Sequence, residues 1–234
     1  MKRFLIVLFS FSLLFGKGFS PVQEKSNLNL FPGFDSLNTR FIGNWPFGYA
    51  YEVSYDPSRS LVFCGSGGGV YILNVSNPQN PQKVSERIRT RGIVEGLFYC
   101  NNILYIALGE GGLEIWDVAN PDSPIKLGHY WTPGFAYGVY VSGSYAYVTD
   151  GDLRIIDVSN PQNPNEVGYY NTPGSAYYSV YVSGSYAYVP DGDLRIIDVS
   201  NPQNPNEVGY FDTPGLAYGV YVSDSYAYVA DEGS

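Results

Sequence analysis

Residues that perform acid–base, redox or metal chemistry are scarce in this chain. Its 234 residues include one histidine, His129, and two cysteines. A single histidine cannot build a histidine-rich zinc site, and nothing around His129 resembles the turn that presents a catalytic serine. The sequence therefore predicts no catalytic residues, which favours a protein that is not an enzyme.

Basic residues are also few: the chain has 13 Lys and Arg but 22 Asp and Glu, which gives a formal net charge of −9. An acidic surface repels phosphate backbones, so nucleic-acid binding is disfavoured. Tyrosine, glycine and proline are abundant instead, with 23, 27 and 16 residues. This composition suits short strands joined by tight turns.

A block of about forty residues recurs along the chain. Residues 139–170 and 180–211 differ only at Thr149/Pro190 and Tyr170/Phe211. A period in this range is typical of repeat architectures, in which each copy is one unit of supersecondary structure. Residues shared by all copies then serve the folding of the unit, and a unique site is expected where the copies differ.

Each copy contains the pattern of four short strands. In one copy we predict strands at Tyr137–Val141, Tyr145–Val148, Leu153–Val158 and Glu166–Tyr170. An Asp-Gly pair at 150–151 predicts a hairpin turn, and Asn-Pro steps in 159–164 exclude a helix. Four-stranded units with apolar or aromatic residues on both faces predict an all-β fold, a β-propeller with about four and a half blades.

The third strand and its exit loop recur in register. The copies are VYILNVSNPQNP at 70–81, LEIWDVANPDSP at 113–124, and LRIIDVSNPQNP at both 153–164 and 194–205. This pattern resembles the LVIVD repeat family of exported bacterial and archaeal proteins, over residues 37–234. The resemblance implies a propeller-like protein that is secreted or lies at the cell surface, and it implies no shared activity.

The N-terminal residues predict export. Residues 1–18 are typical of a secretory signal peptide, with Lys2 and Arg3 before the apolar run Phe4–Phe15. That run is short for a bilayer span, so we expect no transmembrane segment after cleavage, with an uncleaved anchor as the alternative. We expect a secreted or cell-surface location in the cell envelope.

Residues 19–36 read as a linker and 37–234 as the propeller. Thr39–Trp45 resembles a fourth strand that could complete the last blade. The fifth unit stops after two strands, so we expect a propeller that is truncated at its C-terminus.

The two cysteines are not expected to form a disulfide. Cys64 aligns with Thr149 at the far end of a second strand, and Cys100 aligns with Ser142 at a first hairpin turn. Such positions lie about 13–17 Å apart along strands that rise about 3.3 Å per residue. A disulfide needs Cα atoms within about 7 Å, so we expect two free thiols.

Two sets of repeated aspartates are candidate sites. The first set lies at the end of the third strand of each unit and consists of Asp117, Asp157 and Asp198. We expect these carboxylates to accept hydrogen bonds within the following turn rather than to form a ring of metal or glycan ligands. The second flanks the hairpin glycine and consists of weak calcium candidates: Asp150, Asp152, Asp191 and Asp193. Hairpin-turn chemistry also explains the second set, so calcium is a minor expectation and no other cofactor is predicted.

Aromatic residues in the variable junctions between units are the candidates for ligand binding. Most tyrosines alternate along strands and are expected to fill contacts between blades. The junctions instead place aromatic residues near the innermost strand: Trp131, Phe135, Tyr137, Tyr177, Tyr178 and Tyr218.

The first functional hypothesis is an exported, non-catalytic scaffold for binding, adhesion or protein interaction. Its partner would be a protein or a glycan at the cell surface, bound by multivalent contacts. One alternative is the propeller domain of a carbohydrate-acting enzyme, which paired carboxylates unmatched in other blades would favour. Another is a structural surface-layer component. The oligomeric state and the full number of blades stay open.

Overall fold

The structure is a computed structural model, and it describes residues 50–232. The expected signal peptide, the linker and the strand at Thr39–Trp45 lie outside these residues. The described part of the chain is all-β, with 18 strands and no helix. It accordingly contains no helix that could cross a membrane.

The first two sheets are antiparallel meanders of four strands each. The first sheet consists of β1 (Ala50–Asp56), β2 (Leu61–Ser66), β3 (Gly69–Asn74) and β4 (Gln82–Arg89). The second sheet consists of β5 (Gly96–Cys100), β6 (Ile103–Ala107), β7 (Leu113–Asp117) and β8 (Ile125–Tyr130). In both sheets the strand order follows the chain, so each is one blade.

The next two sheets repeat this order, and a fifth has two strands. The third sheet consists of β9 (Gly138–Ser142), β10 (Tyr145–Thr149), β11 (Leu153–Asp157) and β12 (Asn165–Tyr170). The fourth sheet consists of β13 (Tyr181–Ser183), β14 (Tyr186–Pro190), β15 (Leu194–Asp198) and β16 (Asn206–Phe211). The fifth sheet consists of β17 (Leu216–Ser223) and β18 (Tyr226–Glu232).

The predicted strands of the third blade agree with the structure to within one residue at each end. The β10–β11 hairpin is closed by Gly151, whose φ of +101° lies in a region that side chains rarely adopt. The fourth blade differs from the third at its first strand, which has three residues. One residue, Tyr177, is inserted before this strand relative to the neighbouring junctions, and Pro190, which has no N–H to donate, stands where the third blade has Thr149.

The core lies between blades. The first strands of successive blades contact one another, so they form the inner side of the array. Each buried cluster combines two neighbouring sheets: Leu113 and Ile115 of the second blade, for instance, pack with Val139 and Val148 of the third. Both faces of a blade are thereby covered, which explains why both faces of each strand are apolar.

The cysteine alignment from the sequence is wrong by one residue. Leu61 pairs with Asn74 as Tyr145 pairs with Asp157, so Cys64 is equivalent to Val148 rather than to Thr149. The reason is that β2 continues to Ser66 and shifts the turn. Cys64 and Cys100 are half-buried free thiols, and burial raises the pKa of both.

Candidate functional site

Aromatic side chains meet where the chain enters the inner strands of the third, fourth and fifth blades. We call this surface the aromatic ledge, and it consists of Phe135, Tyr137, Tyr177, Tyr178 and Tyr218. Tyr137, Tyr178 and Tyr218 occupy equivalent positions of the unit: Tyr137 directly precedes β9, Tyr178 lies three residues before β13, and Tyr218 lies within β17. The contact between neighbouring inner strands brings these residues together, although about forty residues separate them in the chain.

The rings of the ledge form a continuous series. The Phe135 and Tyr137 ring centroids are 4.9 Å apart, and those of Tyr137 and Tyr177 are 5.2 Å apart. Tyr178 lies 6.5 Å from Tyr137 and makes an edge-on contact with Tyr218 at 4.5 Å. These separations and tilts are those that aromatic pairs prefer. Each ring is thus held in place by another ring.

Part of the ledge faces solvent. Tyr177 is 44% exposed and Tyr178 is 48% exposed, whereas the other three rings are half-buried. The Tyr218 hydroxyl donates a hydrogen bond to Glu232, which together with burial raises the pKa of Tyr218 to about 12. The rings are tilted against one another by 37° to 73°, so together they offer a stepped, partly exposed aromatic surface that carries tyrosine hydroxyl groups.

Glu95 takes the tyrosine position in the second blade, which sequence reasoning missed. Its backbone N–H bonds to Ala107 as the N–H of Tyr137 bonds to Thr149. Burial raises the pKa of Glu95. The pKa of Tyr137 is raised as well, by burial and by its neighbours Tyr177 and Glu95. Aligning TRGIVEG at 90–96 with TPGFAYG at 132–138 would have revealed this substitution.

The first blade adds a second unmatched carboxylate. The pairing of Glu52 with Gly65 corresponds to that of Gly138 with Thr149, so Glu52 stands where the third blade has glycine. Burial raises the pKa of Glu52, although its carboxylate accepts a 2.9 Å bond from the Val53 N–H. Glu52 is the third residue of β1 and Glu95 directly precedes β5, and these two inner strands contact each other.

Trp131 does not join the ledge. It follows the outer strand β8, is 58% exposed, and makes an edge-on contact with His129 at 4.4 Å between ring centroids. His129 itself bonds through Nε2 to the Gly111 carbonyl, at 2.9 Å. The expectation that all six junction aromatics lie near the inner strand is therefore wrong for Trp131, because it precedes the segment that crosses inward.

A second aromatic series lies further along the inner strands. Phe98, Tyr140 and Tyr181 follow one another at 4.5 and 4.9 Å, and Tyr221 continues the series at 5.2 Å from Tyr181. These rings sit at the same place in successive blades. Phe98, Tyr140 and Tyr181 are half-buried in the contacts between blades, whereas Tyr221, in the two-stranded fifth sheet, is 52% exposed.

The hairpin aspartates, which were weak calcium candidates, form ion pairs with arginine. The Arg154 Nε lies 2.9 and 3.0 Å from the two oxygens of Asp150, and its Nη2 lies 3.1 Å from Asp152. Asp191, Asp193 and Arg195 repeat this arrangement with the same distances. A guanidinium therefore stands where a cation would sit, so these carboxylates are poorly placed to hold calcium.

The aspartates at the ends of the third strands lie in turns. Asp117 accepts a 2.8 Å bond from the Ala119 N–H, and Asp157 and Asp198 accept bonds of the same length from Ser159 and Ser200. Hydrogen bonds from the side chains of Ser159 and Ser200, together with those from their backbone N–H groups, lower the pKa of Asp157 and Asp198. Between residues 50 and 232 no group of three or more acidic, histidine or cysteine side chains could hold a metal ion.

Successive four-stranded blades whose inner strands adjoin define a propeller-like repeat protein. The profile of the LVIVD repeat matches residues 92–132, 133–172, 173–213 and 214–234. Because these spans make up more than half of the chain, the chain belongs to the LVIVD repeat family. The first blade has the same strand order but lies outside the matched residues. No curated protein matches the chain.

Among solved structures, the chain is similar to the crystal structure of a computationally designed protein, Ika8. The TM-score is 0.61 at 13% identity, and the match covers 77% of this chain and 54% of the designed one. The chain thus spans about half the length of that protein. At this level of identity the likeness shows the fold alone.

Proposed function

We propose that this chain is an exported, non-catalytic binding scaffold that holds a glycan chain on its aromatic ledge at the cell surface. The observation that carries the proposal is the ledge itself. Five rings from three blades touch in series, and two of them are exposed by nearly half.

The position of the ledge supports a binding role. Two of its rings, Phe135 and Tyr177, stand at positions that the neighbouring junctions do not share, whereas Tyr137, Tyr178 and Tyr218 recur at one position of the unit. Tyr177 is an insertion relative to the neighbouring junctions, and it supplies one of the two exposed rings. An insertion that adds an exposed ring is difficult to explain by the packing of the unit alone.

The chemistry of the ledge suits a sugar chain better than an apolar ligand. A row of tyrosine rings offers faces to the C–H surface of sugar rings, and the hydroxyls at its border can pair with sugar hydroxyls. The row extends across several blades, so a linear oligosaccharide can contact successive rings at once. Glu95 adds an acceptor at the end nearest the second blade.

The test is calorimetric titration of the full chain with neutral glucose and mannose hexasaccharides of α and β linkage. We expect at least one of them to bind, and Tyr177→Ala and Tyr178→Ala each to weaken that binding by about three- to tenfold, as loss of an aromatic contact does. Tyr186→Ala is the matched control, because Tyr186 is 42% exposed in β14 but lies outside the ledge. Equal losses in all three variants would contradict the proposal.

A carbohydrate-acting enzyme is the second candidate, and one observation favours it. Glu52 and Glu95 are unmatched in the other blades, and burial raises the pKa of both, which suits a general acid. If the chain cleaves its glycan, reducing ends should accumulate with the wild type and not with Glu95→Gln. Release of the same product by Glu52→Gln, Glu95→Gln and the wild type would exclude these carboxylates.

A further inference from the structure

The outer strand of the first blade carries a cluster of positive charge in an otherwise acidic chain. We call it the basic edge, and it consists of Lys83, Arg87 and Arg89 of β4 together with Arg91, two residues beyond the end of that strand. Residues 50–91 hold five basic and three acidic residues, whereas residues 92–232 hold three basic and 17 acidic ones. The positive charge of the described chain is therefore concentrated in this blade.

The strand that carries this cluster differs from its counterparts. β4 has eight residues, whereas β8, β12 and β16 have six each. Its pairing with β3 shifts register twice, and such irregularities turn side chains away from the regular alternation. Protection of a sheet edge by charge does not explain the cluster, because β12 and β16 are also outer strands and contain no arginine or lysine.

The arginines of the basic edge are available to a ligand. Arg87, Arg89 and Arg91 are exposed, and no carboxylate among residues 50–232 lies within 4 Å of their guanidinium nitrogens. The nearest acidic residue of the strand, Glu86, pairs with Lys83 at 2.7 Å, and Arg89 contributes to lowering the pKa of Glu86. The other arginines of the described chain, Arg59, Arg154 and Arg195, all pair with aspartates of their own blade. Arg59, Arg154 and Arg195 thus stabilise their blades through ion pairs, and Arg87, Arg89 and Arg91 make no such ion pair.

Two depressions adjoin the strand. One of about 450 Å³ is lined by polar side chains that include Lys83, Arg87, Arg89 and Asp122. The other, of about 500 Å³, is lined by Gly68, Tyr71, Glu86 and Arg89, among others. Arg89 and Glu86 border both of them. An extended chain that crosses the strand at this point could therefore occupy both depressions.

We propose that the basic edge binds linear acidic polysaccharides, whose carboxylate or sulfate groups pair with Arg87, Arg89 and Arg91. The planar guanidinium matches both groups with two parallel hydrogen bonds. The 17 acidic residues of the later blades would repel any polyanion that extends beyond this edge, so the proposed site holds a short stretch of the polysaccharide, and DNA is the polyanion with which it is compared. The basic edge is separate from the aromatic ledge, and the blade that carries it lies outside the residues matched by the LVIVD profile.

The experiment measures binding of the full chain to immobilised polygalacturonate, dextran sulfate, neutral dextran and single-stranded DNA. We expect binding to one or both acidic polysaccharides, weakening as salt rises from about 0.05 to 0.5 M, and none to neutral dextran. Polygalacturonate reports carboxylate recognition, and dextran sulfate reports sulfate recognition. The double variant Arg87→Gln/Arg89→Gln should lose about tenfold in affinity, since hydrogen bonds between charged groups are lost.

Two variants separate a local site from a net-charge effect. Glu86→Gln removes a negative charge between the two depressions, and Asp224→Asn removes one from the exposed hairpin of the fifth sheet. We expect about a twofold gain in affinity for Glu86→Gln and no change for Asp224→Asn. Equal gains for the two, no loss in the double arginine variant with an unchanged melting temperature, or preferred binding of DNA would each overturn the proposal.

Discussion

Replacing Asp150 by alanine should destabilise the junction between the second and third blades. The Asp150 side chain is fully buried and accepts bonds from Arg154 at 2.9 and 3.0 Å. It also accepts a 2.9 Å bond from the backbone N–H of Gly134, in the segment that connects the two blades. One carboxylate therefore holds both the arginine of its own blade and the incoming connection.

The size of the effect follows from what the alanine leaves behind. Breaking a buried ion pair from one side costs about 3–5 kcal/mol, because the remaining charge has lost its partner. Arg154 would keep Asp152 at 3.1 Å and the Tyr169 ring at 5.1 Å, so the lower end of that range applies. We expect a loss of about 3 kcal/mol in the free energy of unfolding, or about 6–12 °C in melting temperature for a chain of this size.

The assay is thermal unfolding followed by circular dichroism and calorimetry. Asp191→Ala is an internal replicate, since Asp191 makes the same bonds to Arg195 and Gly174. Asp157→Ala is the contrasting control, because its carboxylate lies at the surface and its loss leaves a Ser159 N–H that water can reach. That control should cost about 1 kcal/mol.

A second substitution tests the cause. Removing both partners, as in Asp150→Ala/Arg154→Leu, should cost less than Asp150→Ala alone, because no unpaired charge stays buried. A melting temperature for Asp150→Ala within about 2 °C of the wild type would refute the reasoning. A lower free energy of unfolding for Asp150→Ala/Arg154→Leu than for Asp150→Ala would also refute it.

Two further predictions concern the same kind of turn. Burial raises the pKa of Asp56, but hydrogen bonds from Ser58 and Arg59 outweigh it and hold that pKa well below its usual value of 3.8. A carboxylate with a lowered pKa stabilises the fold above that usual value and ceases to do so as pH falls, so Asp56→Asn should lose melting temperature less steeply than the wild type below about pH 4. Gly151→Ala should cost about 1–3 kcal/mol, because the φ of +101° is strained for alanine. Gly151→Ala should cost more than Gly143→Ala, because φ at Gly143 is +59° and an added Cβ would have no atom within 4 Å. Equal melting temperatures of the two variants would contradict this.

Much of the fold could be predicted because its determinants are local. The alternation in Tyr145–Val148, the Asp-Gly turn and the Asn-Pro steps each act within a few residues. The strand bounds of the third blade consequently agree to within one residue. The error at Cys64 arose where the hairpin between β2 and β3 has a different length, which no local rule specified.

The candidate site was predicted less completely. Five of the six junction aromatics meet in the ledge, whereas Trp131 packs on His129 and Glu95 went unnoticed. Pairing of Arg154 with Asp150 was also missed, although only four residues separate them. Spacing alone does not say that residues 150 and 154 face each other across a hairpin, on the same side of the sheet.

The sequence by itself determined the repeating unit, its strands and turns, and the apolar character of both faces, since these depend on neighbours in the chain. Only the tertiary structure decided which side chains from different blades meet. The ledge, the pairing of Asp150 with the connection at Gly134, and the basic edge beside two depressions all join residues that are distant in the chain or lie on different strands. Their contacts depend on how one blade is placed against the next, and that placement is set by packing between blades rather than by any one repeat.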